Sequence, residues 1–292
     1  MGTFLTRNIT KIKIICEFGN ISFNCWLNST LQAVLNINII RQKLLPMPKK
    51  ELKSYSLTPL CAKLFLRALH HPGQSFHLPD ILPVLIELCQ FKSDLQLGNQ
   101  NDAADFAEPL LEWLNVCGIK TNQQIKCKNI CGTCKATEER IFNQDNLFFI
   151  AQPSAQKVSL TSLFTEAVKS ICGKKQCNNC SAEVKRRISF RDSDLVALYL
   201  PRYAQLGQKR RYVTPAAFIE IPVDNVKQKY RLATVICHKR LGSQSAHYYT
   251  YIRKNGFFIE ANDEMITIGD RKSFNDIRKN GTIFFYEKHR EL

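Results

Sequence analysis

Asn20-Ile21-Ser22-Phe23-Asn24-Cys25-Trp26-Leu27-Asn28-Ser29-Thr30-Leu31-Gln32 is the stretch whose reading decides the fold. Asn24 is a good N-cap residue, so a helix is predicted to begin at Cys25. Its apolar positions Leu27, Leu31, Val34 and Leu35 follow helical spacing. The unpaired N–H groups and positive dipole end of a first turn favour thiolate over thiol, and thiolate is the nucleophile. Cys25 is therefore a candidate nucleophile; its bland alternative is an inert small hydrophobe.

Working outward, the zone from Asn24 to about Gly118 continues in helical spacing, with Ala103, Phe106, Ala107, Leu110, Leu111 and Leu114 on one face. Pro109 is predicted to kink or break that helix. From about Lys126 to Arg187 cysteine pairs concentrate. Short β-rich runs follow at Leu195–Leu200, Leu232–Cys237, Tyr248–Ile252, Phe257–Glu260 and Ile283–Tyr286. Helices, then a cysteine-rich insert, then strands predict an α+β fold in one domain.

The 292 residues suffice for a large core without disulfide staples, and the longest apolar runs are far shorter than the roughly 20 residues of a membrane-spanning helix. Twelve cysteines without a charged-then-apolar leader predict a reducing compartment, cytosol or nucleus. Two glycosylation patterns, at Asn20 and Asn28, would otherwise place glycans on the deciding stretch. The start Met1-Gly2-Thr3-Phe4-Leu5-Thr6 fits the short N-myristoylation pattern. With 41 Lys and Arg against 25 Asp and Glu the formal charge is +16, and Lys185-Arg186-Arg187 and Lys209-Arg210-Arg211 are its densest clusters. They read as solvated faces or as weak attachment points for nucleic acid or an anionic surface.

A thiol nucleophile needs a base, and the base an orienting group. Among the six histidines, His247 opens His247-Tyr248-Tyr249-Thr250-Tyr251, and a second strand after a Lys254-Asn255-Gly256 turn delivers Asn262 and Asp263. Hairpin pairing is predicted to return one of them to His247. His238 is the competing base. Separately, Cys131-x-x-Cys134 and Cys177-x-x-Cys180 offer four soft thiolates for one structural zinc ion, with Cys127 and Cys172 close by in sequence.

The chain resembles the ubiquitin-specific proteases, papain-like cysteine peptidases that remove ubiquitin. Asn20 and Cys25 to Gln32 fit that family's first box, Asn101-Asp102-Ala103-Ala104-Asp105-Phe106 its second, and Leu200-Pro201-Arg202-Tyr203 a later one. Ala246-His247-Tyr248 and Ala261-Asn262-Asp263 fit the closing boxes. The resemblance implies a papain-like fold with a helical thumb (about 16–118), a fingers insert bearing zinc (about 119–190) and a β-rich palm (about 191–288).

It further implies that Cys25 attacks the carbonyl of ubiquitin's C-terminal glycine, His247 serves as base then acid, Asn262 orients the imidazole and Asn20 stabilises the oxyanion, with Asp263 in support. Asp102 and Asp105 match acids that grip ubiquitin's basic tail; a plain first-turn acidic pair is their alternative. No cofactor takes part in the chemistry. The implied partners of this expected monomer are ubiquitin and ubiquitinated proteins. Ala246 stands where the family has glycine, and Ser22-Phe23-Asn24 where it has Gly-Asn-Thr. Competing readings are a catalytically weak or dead ubiquitin-binding scaffold, a peptidase for a ubiquitin-like modifier such as SUMO, and a basic zinc module for nucleic acid.

Overall fold

Cys25–Leu35 forms helix α1, and every one of its residues is buried. Full burial of a helix carrying Asn28, Ser29, Thr30 and Gln32 requires internal partners for those side chains. Ser29 and Thr30 donate to the Trp26 carbonyl at 3.1 and 2.8 Å, and Gln32 donates to the Cys16 carbonyl. Thr250 donates to the Ser29 carbonyl at 2.7 Å, fastening the helix to the sheet.

The computed structural model describes residues 15–21, 23–47, 57–154, 157–202, 211–224, 226–241 and 246–290. The acylation pattern, Ser22, Tyr203, and Lys209 and Arg210 of the second basic cluster lie outside them.

Around α1 pack α2 (Asn38–Leu44), α3 (Pro59–His70), α4 (Leu78–Phe91) and α5 (Ala103–Val116). Their interior joins Trp26 edge-on to Phe106 at 5.9 Å and Phe65 to Trp113 at 5.4 Å. Strands β1 (Glu17–Phe18) and β2 (Ser75–Phe76) pair parallel at its border. Of the kink or break expected at Pro109, the break does not occur: α5 runs through it, and the Asp105 carbonyl that lacks a Pro109 N–H accepts from Lys92 Nζ at 2.9 Å.

The insert contains β3 (Gln123–Cys131), β4 (Thr137–Gln144), β5 (Leu147–Phe149), β6 (Lys157–Ser159), α6 (Leu160–Ile171) and β7 (Val184–Phe190). Next come β8 (Leu195–Tyr199), β9 (Tyr212–Thr214), β10 (Phe218–Val223), β11 (Val226–Arg240), β12 (Ala246–Lys254), β13 (Phe257–Asn262), β14 (Met265–Ile268), α7 (Ser273–Asn280) and β15 (Gly281–Lys288). The main sheet runs β14-β13-β12-β11-β10-β7-β3-β4, while β15 bridges β11 to β8 and β5 pairs with β8. Beneath it a second core gathers Phe148, Phe164, Phe190, Val196, Tyr230 and Val235.

Helix α6 was not foreseen, although Ser159 caps it by accepting from the Ser162 N–H at 3.0 Å and Leu160, Leu163, Phe164 and Val168 make its buried stripe. Within the first basic cluster, Arg186 turns inward to Asn129 Oδ1 at 2.9 Å and the Gly173 carbonyl at 3.1 Å, while Lys185 and Arg187 stay exposed. Among the described residues no helix is long and apolar enough to cross a membrane.

Candidate active site

Asn24 occupies the N-cap of α1, as its residue type predicts, but its side chain makes no capping bond. Its Oδ1 accepts from the Ile21 N–H at 2.8 Å, and its Nδ2 donates to the Gly19 carbonyl at 3.0 Å and to Asn28 Oδ1 at 2.9 Å. The carboxamide thus shapes the turn that presents Cys25. Phe23, one residue earlier, sits in the left-handed region at φ 54° with 58% of its surface exposed, a conformation a bulky side chain adopts only when its surroundings enforce it.

Cys25 is 3% exposed. Burial pushes its thiol up to about 11, the nearby Tyr248 main chain opposes that rise, and the negative charge of Asp263 adds to it. Burial thus opposes the thiolate that the helix terminus is expected to favour: loss of hydration outweighs the first-turn N–H groups.

His247 enters the site through the β12–β13 hairpin. Asn255 and Gly256 both have positive φ, 48° and 87°, and Lys254 pairs with Phe257, a two-residue turn matched to strand twist. The register aligns Thr250 with Ala261 and carries Asn262 back to the start of β12. There Asn262 Oδ1 lies 2.6 Å from His247 Nε2. With Oδ1 accepting from Nε2–H, the lone pair is left on Nδ1. Asp263 Oδ2 stands 3.7 Å from the same Nε2. Among the described residues the Cys25 thiol has no hydrogen bond to the imidazole. His238, the competing base, is stacked on Tyr248 at 4.5 Å.

Asp263 collects the segment that precedes and begins α1. Asn20 Nδ2 donates to its Oδ2 at 2.9 Å and Asn28 Nδ2 to its Oδ1 at 2.7 Å. One N–H of the Asn20 amide is thereby committed to Asp263.

The two acids of α5 separate. Asp102 accepts from Tyr199 Oη at 2.8 Å, Tyr248 Oη at 3.0 Å and the Ala104 N–H at 3.0 Å. Asp105 is exposed at the surface of the cleft, yet desolvation of its carboxyl by the cleft wall and the neighbouring Asp102 charge hold it above the ordinary range. Both line a cleft of about 650 Å³ together with Phe23, Asp94, Gln96 and Gln100.

At the far end of the sheet, Cys131, Cys134, Cys177 and Cys180 bring their sulfurs within 4.8 Å of one another, with Cys131–Cys180 and Cys134–Cys177 at 3.5 Å. Zn–S bonds of about 2.3 Å in a tetrahedron give sulfurs about 3.8 Å apart, so the four fit one zinc ion. Main-chain N–H groups, that of Cys134 foremost for Cys131 and that of Asn179 for Cys177, lower both thiols, Cys131 to about 6. Cys127 and Cys172 belong instead to the core beneath the sheet. Reading the sequence missed Asn28, Tyr199, Tyr248 and Gln100 as parts of this site. Asn28 carried a signal in its place within the first box, whereas the tyrosine contacts depend on long-range pairing.

The family described as ubiquitin carboxyl-terminal hydrolase matches residues 16–286. The fold is similar to that of the SAGA DUB module Ubp8/Sgf11/Sus1/Sgf73 bound to monoubiquitin, at TM-score 0.67 and 13% identity over 94% of this chain and 69% of that one. The same module bound to ubiquitin aldehyde gives TM-score 0.67 and 13% identity over 94% and 70% of the two chains. A yeast SAGA DUB module carrying a substitution in Sgf73 gives TM-score 0.61 and 14% identity over 94% and 69%.

Proposed function

Since the chain belongs to the ubiquitin carboxyl-terminal hydrolase family, we propose that it is a cysteine-type deubiquitinase that cleaves isopeptide or peptide bonds at the C-terminal glycine of ubiquitin. The observation that carries this reading is the 2.6 Å pair of His247 and Asn262, built on the strand whose next residue, Tyr248, lies against the Cys25 thiol. Solved structures of similar fold hold ubiquitin or ubiquitin aldehyde, which supports ubiquitin as the partner. A setting in the cytosol or nucleus belongs to the same proposal.

In the proposed reaction, His247 Nδ1 takes the Cys25 proton as the sulfur attacks the glycine carbonyl. Burial disfavours the free thiolate, so the sulfur loses its proton as it attacks rather than beforehand. The Asn20 amide, placed by Asp263, directs its second N–H at the developing oxyanion; one such donor is worth about 3 kcal/mol of barrier. The imidazolium then protonates the departing amine, and water, deprotonated by His247, hydrolyses the thioester. Asn262 holds the ring throughout. Cys131, Cys134, Cys177 and Cys180 would hold a zinc ion, which when bound would supply a structural cross-link remote from this chemistry, with its four ligand positions taken by thiolates.

The raised thiol favours one second reading, a ubiquitin-binding scaffold of weak activity. Turnover of a fluorogenic ubiquitin conjugate separates the two: steady release by the wild type, abolished in Cys25→Ala and His247→Ala, is expected of the enzyme. Binding of ubiquitin by folded wild-type protein without release would replace the enzyme with the scaffold. A parallel SUMO conjugate is expected to remain uncleaved.

A further inference from the structure

Strand β12 is paired along one edge by β11 from Ala246 to Ile252, but along its other edge β13 reaches only from Lys254 to Thr250. Among the described residues the edge at Ala246–Tyr249 is left without a strand, immediately beside His247 and Cys25. Main-chain groups at such an edge seek partners. At Ala246 they have found one. The Ala246 N–H donates to Gln100 Oε1 at 2.9 Å, and Gln100 Nε2 donates to the Ala246 carbonyl.

A primary carboxamide has the donor and acceptor of a peptide group, so Gln100 supplies the rung that an added strand would supply. It does so from the opposite side of the cleft, since it precedes α5 and lines the cavity shared by Phe23, Asp102 and Asp105. Its presentation does not depend on Ala246. Asn101 ties the same turn to Gln96 through two 3.0 Å bonds with the Gln96 main chain. The contact with Ala246 is exposed on the surface, and exposed hydrogen bonds exchange readily with water or a competitor.

We infer that Gln100 is a displaceable plug: its side chain holds the place of a peptide group on the free edge of β12, and an extended C-terminal tail enters the site by taking the Ala246 N–H and carbonyl from it. This rests on the deubiquitinase reading, in which ubiquitin's tail must lie along that edge to reach Cys25. Gln100 is thus a positioning and gating residue and touches none of the reacting atoms. Addition of a strand to an open edge is a general mode of peptide capture; the self-occupied edge adds a competition that the tail must win.

Three measurements on the full chain test it. Amide hydrogen exchange at Ala246 is expected to be at least tenfold faster in Gln100→Ala than in the wild type, with the thermal midpoint unchanged; equal exchange overturns the plug. In a Cys25→Ala background, calorimetric binding of ubiquitin is expected to tighten at least threefold on adding Gln100→Ala, and unchanged or weaker binding overturns it. Turnover of the fluorogenic conjugate is expected to show a lower KM with kcat held. Absence of ubiquitin binding in every variant would remove the deubiquitinase reading and the plug together. Binding that weakens with Gln100→Ala would remove the plug alone.

Discussion

Asn28 and Asp263, 235 positions apart, are joined at 2.7 Å between Nδ2 and Oδ1. Asn28 stands one turn into the helix that begins with Cys25, and Asp263 follows Asn262, which holds the His247 ring. A single carboxylate therefore sets how far the helix N-terminus lies from the hairpin end, and Asn20 anchors to its other oxygen at 2.9 Å. The arrangement also has an electrostatic consequence, since the same charge raises the Cys25 thiol.

Asn28→Ala tests this coupling. The substitution removes a 1% exposed side chain that donates to the Phe18 and Gly19 carbonyls as well as to Asp263. Leaving these acceptors without their donor is expected to cost about 2 to 3 kcal/mol and to lower the thermal midpoint by several degrees. Activity is expected to fall roughly 10- to 100-fold through misplacement of Cys25 against His247. A variant as stable and as active as the wild type would mean that the two segments are positioned by other contacts.

Asp102 and Asp105, three residues apart, are expected to behave differently. Asp102 accepts two tyrosine hydroxyls and caps α5, so Asp102→Ala should lose about 2 to 4 kcal/mol, read in a denaturant titration. Asp105 is exposed; Asp105→Ala should change stability by less than about 0.5 kcal/mol and show itself only as a raised KM for ubiquitin. Equal loss of stability in both would show that Asp105 is structural too.

The helical first part and the strand-rich last part were legible because their patterns are local. Leu27, Leu31 and Val34 announce α1, and the Asn255-Gly256 turn announces the hairpin that returns Asn262 to His247. Two local inferences failed for physical reasons. Pro109 predicts a kink or a break, yet the helix is not broken there, because the freed Asp105 carbonyl finds Lys92 from the preceding segment, a partner no local rule supplies. Cys25 at a helix start predicts a thiolate, yet desolvation by the surrounding fold prevails. The roles of Tyr199 and Tyr248 at Asp102 were not legible because each depends on strands whose register is set by residues far away in the chain.

Alkaline pH is expected to weaken the fold. Burial raises the thiols of Cys25 and Cys117 to about 11 each, Cys61 higher still, and Tyr248, Tyr249 and Tyr251 above the usual phenol range. Because each folded value exceeds the unfolded one, the native state keeps protons that the unfolded chain releases. This stabilisation is complete below about pH 9 and is lost as pH climbs through 11. Denaturant midpoints should be level from pH 7 to 8.5 and decline above. Alkylation of Cys25 by iodoacetamide in the free protein should be slow at pH 7 and accelerate toward pH 11; a rate already at plateau by pH 7 would refute the raised thiol.

Metal removal should act at the tip of the fingers rather than at the chemistry. Apart from the cysteines, the small core there has Val184 and the half-covered Ala136 and Ala182, too little apolar surface to hold two turns together unaided. Elemental analysis is expected to find one zinc per chain, and none tightly held after Cys131→Ser. With chelator, limited proteolysis should open first near Gly132–Lys135 and Asn178–Asn179, the two turns that carry the ligands. Turnover of a minimal substrate spanning only the tail should survive better than turnover of intact ubiquitin, because the cross-link lies far from Cys25 along the sheet. A metal-free protein whose fingers resist proteolysis as well as the zinc form would show that the strands β3, β4 and β7 suffice without the ion.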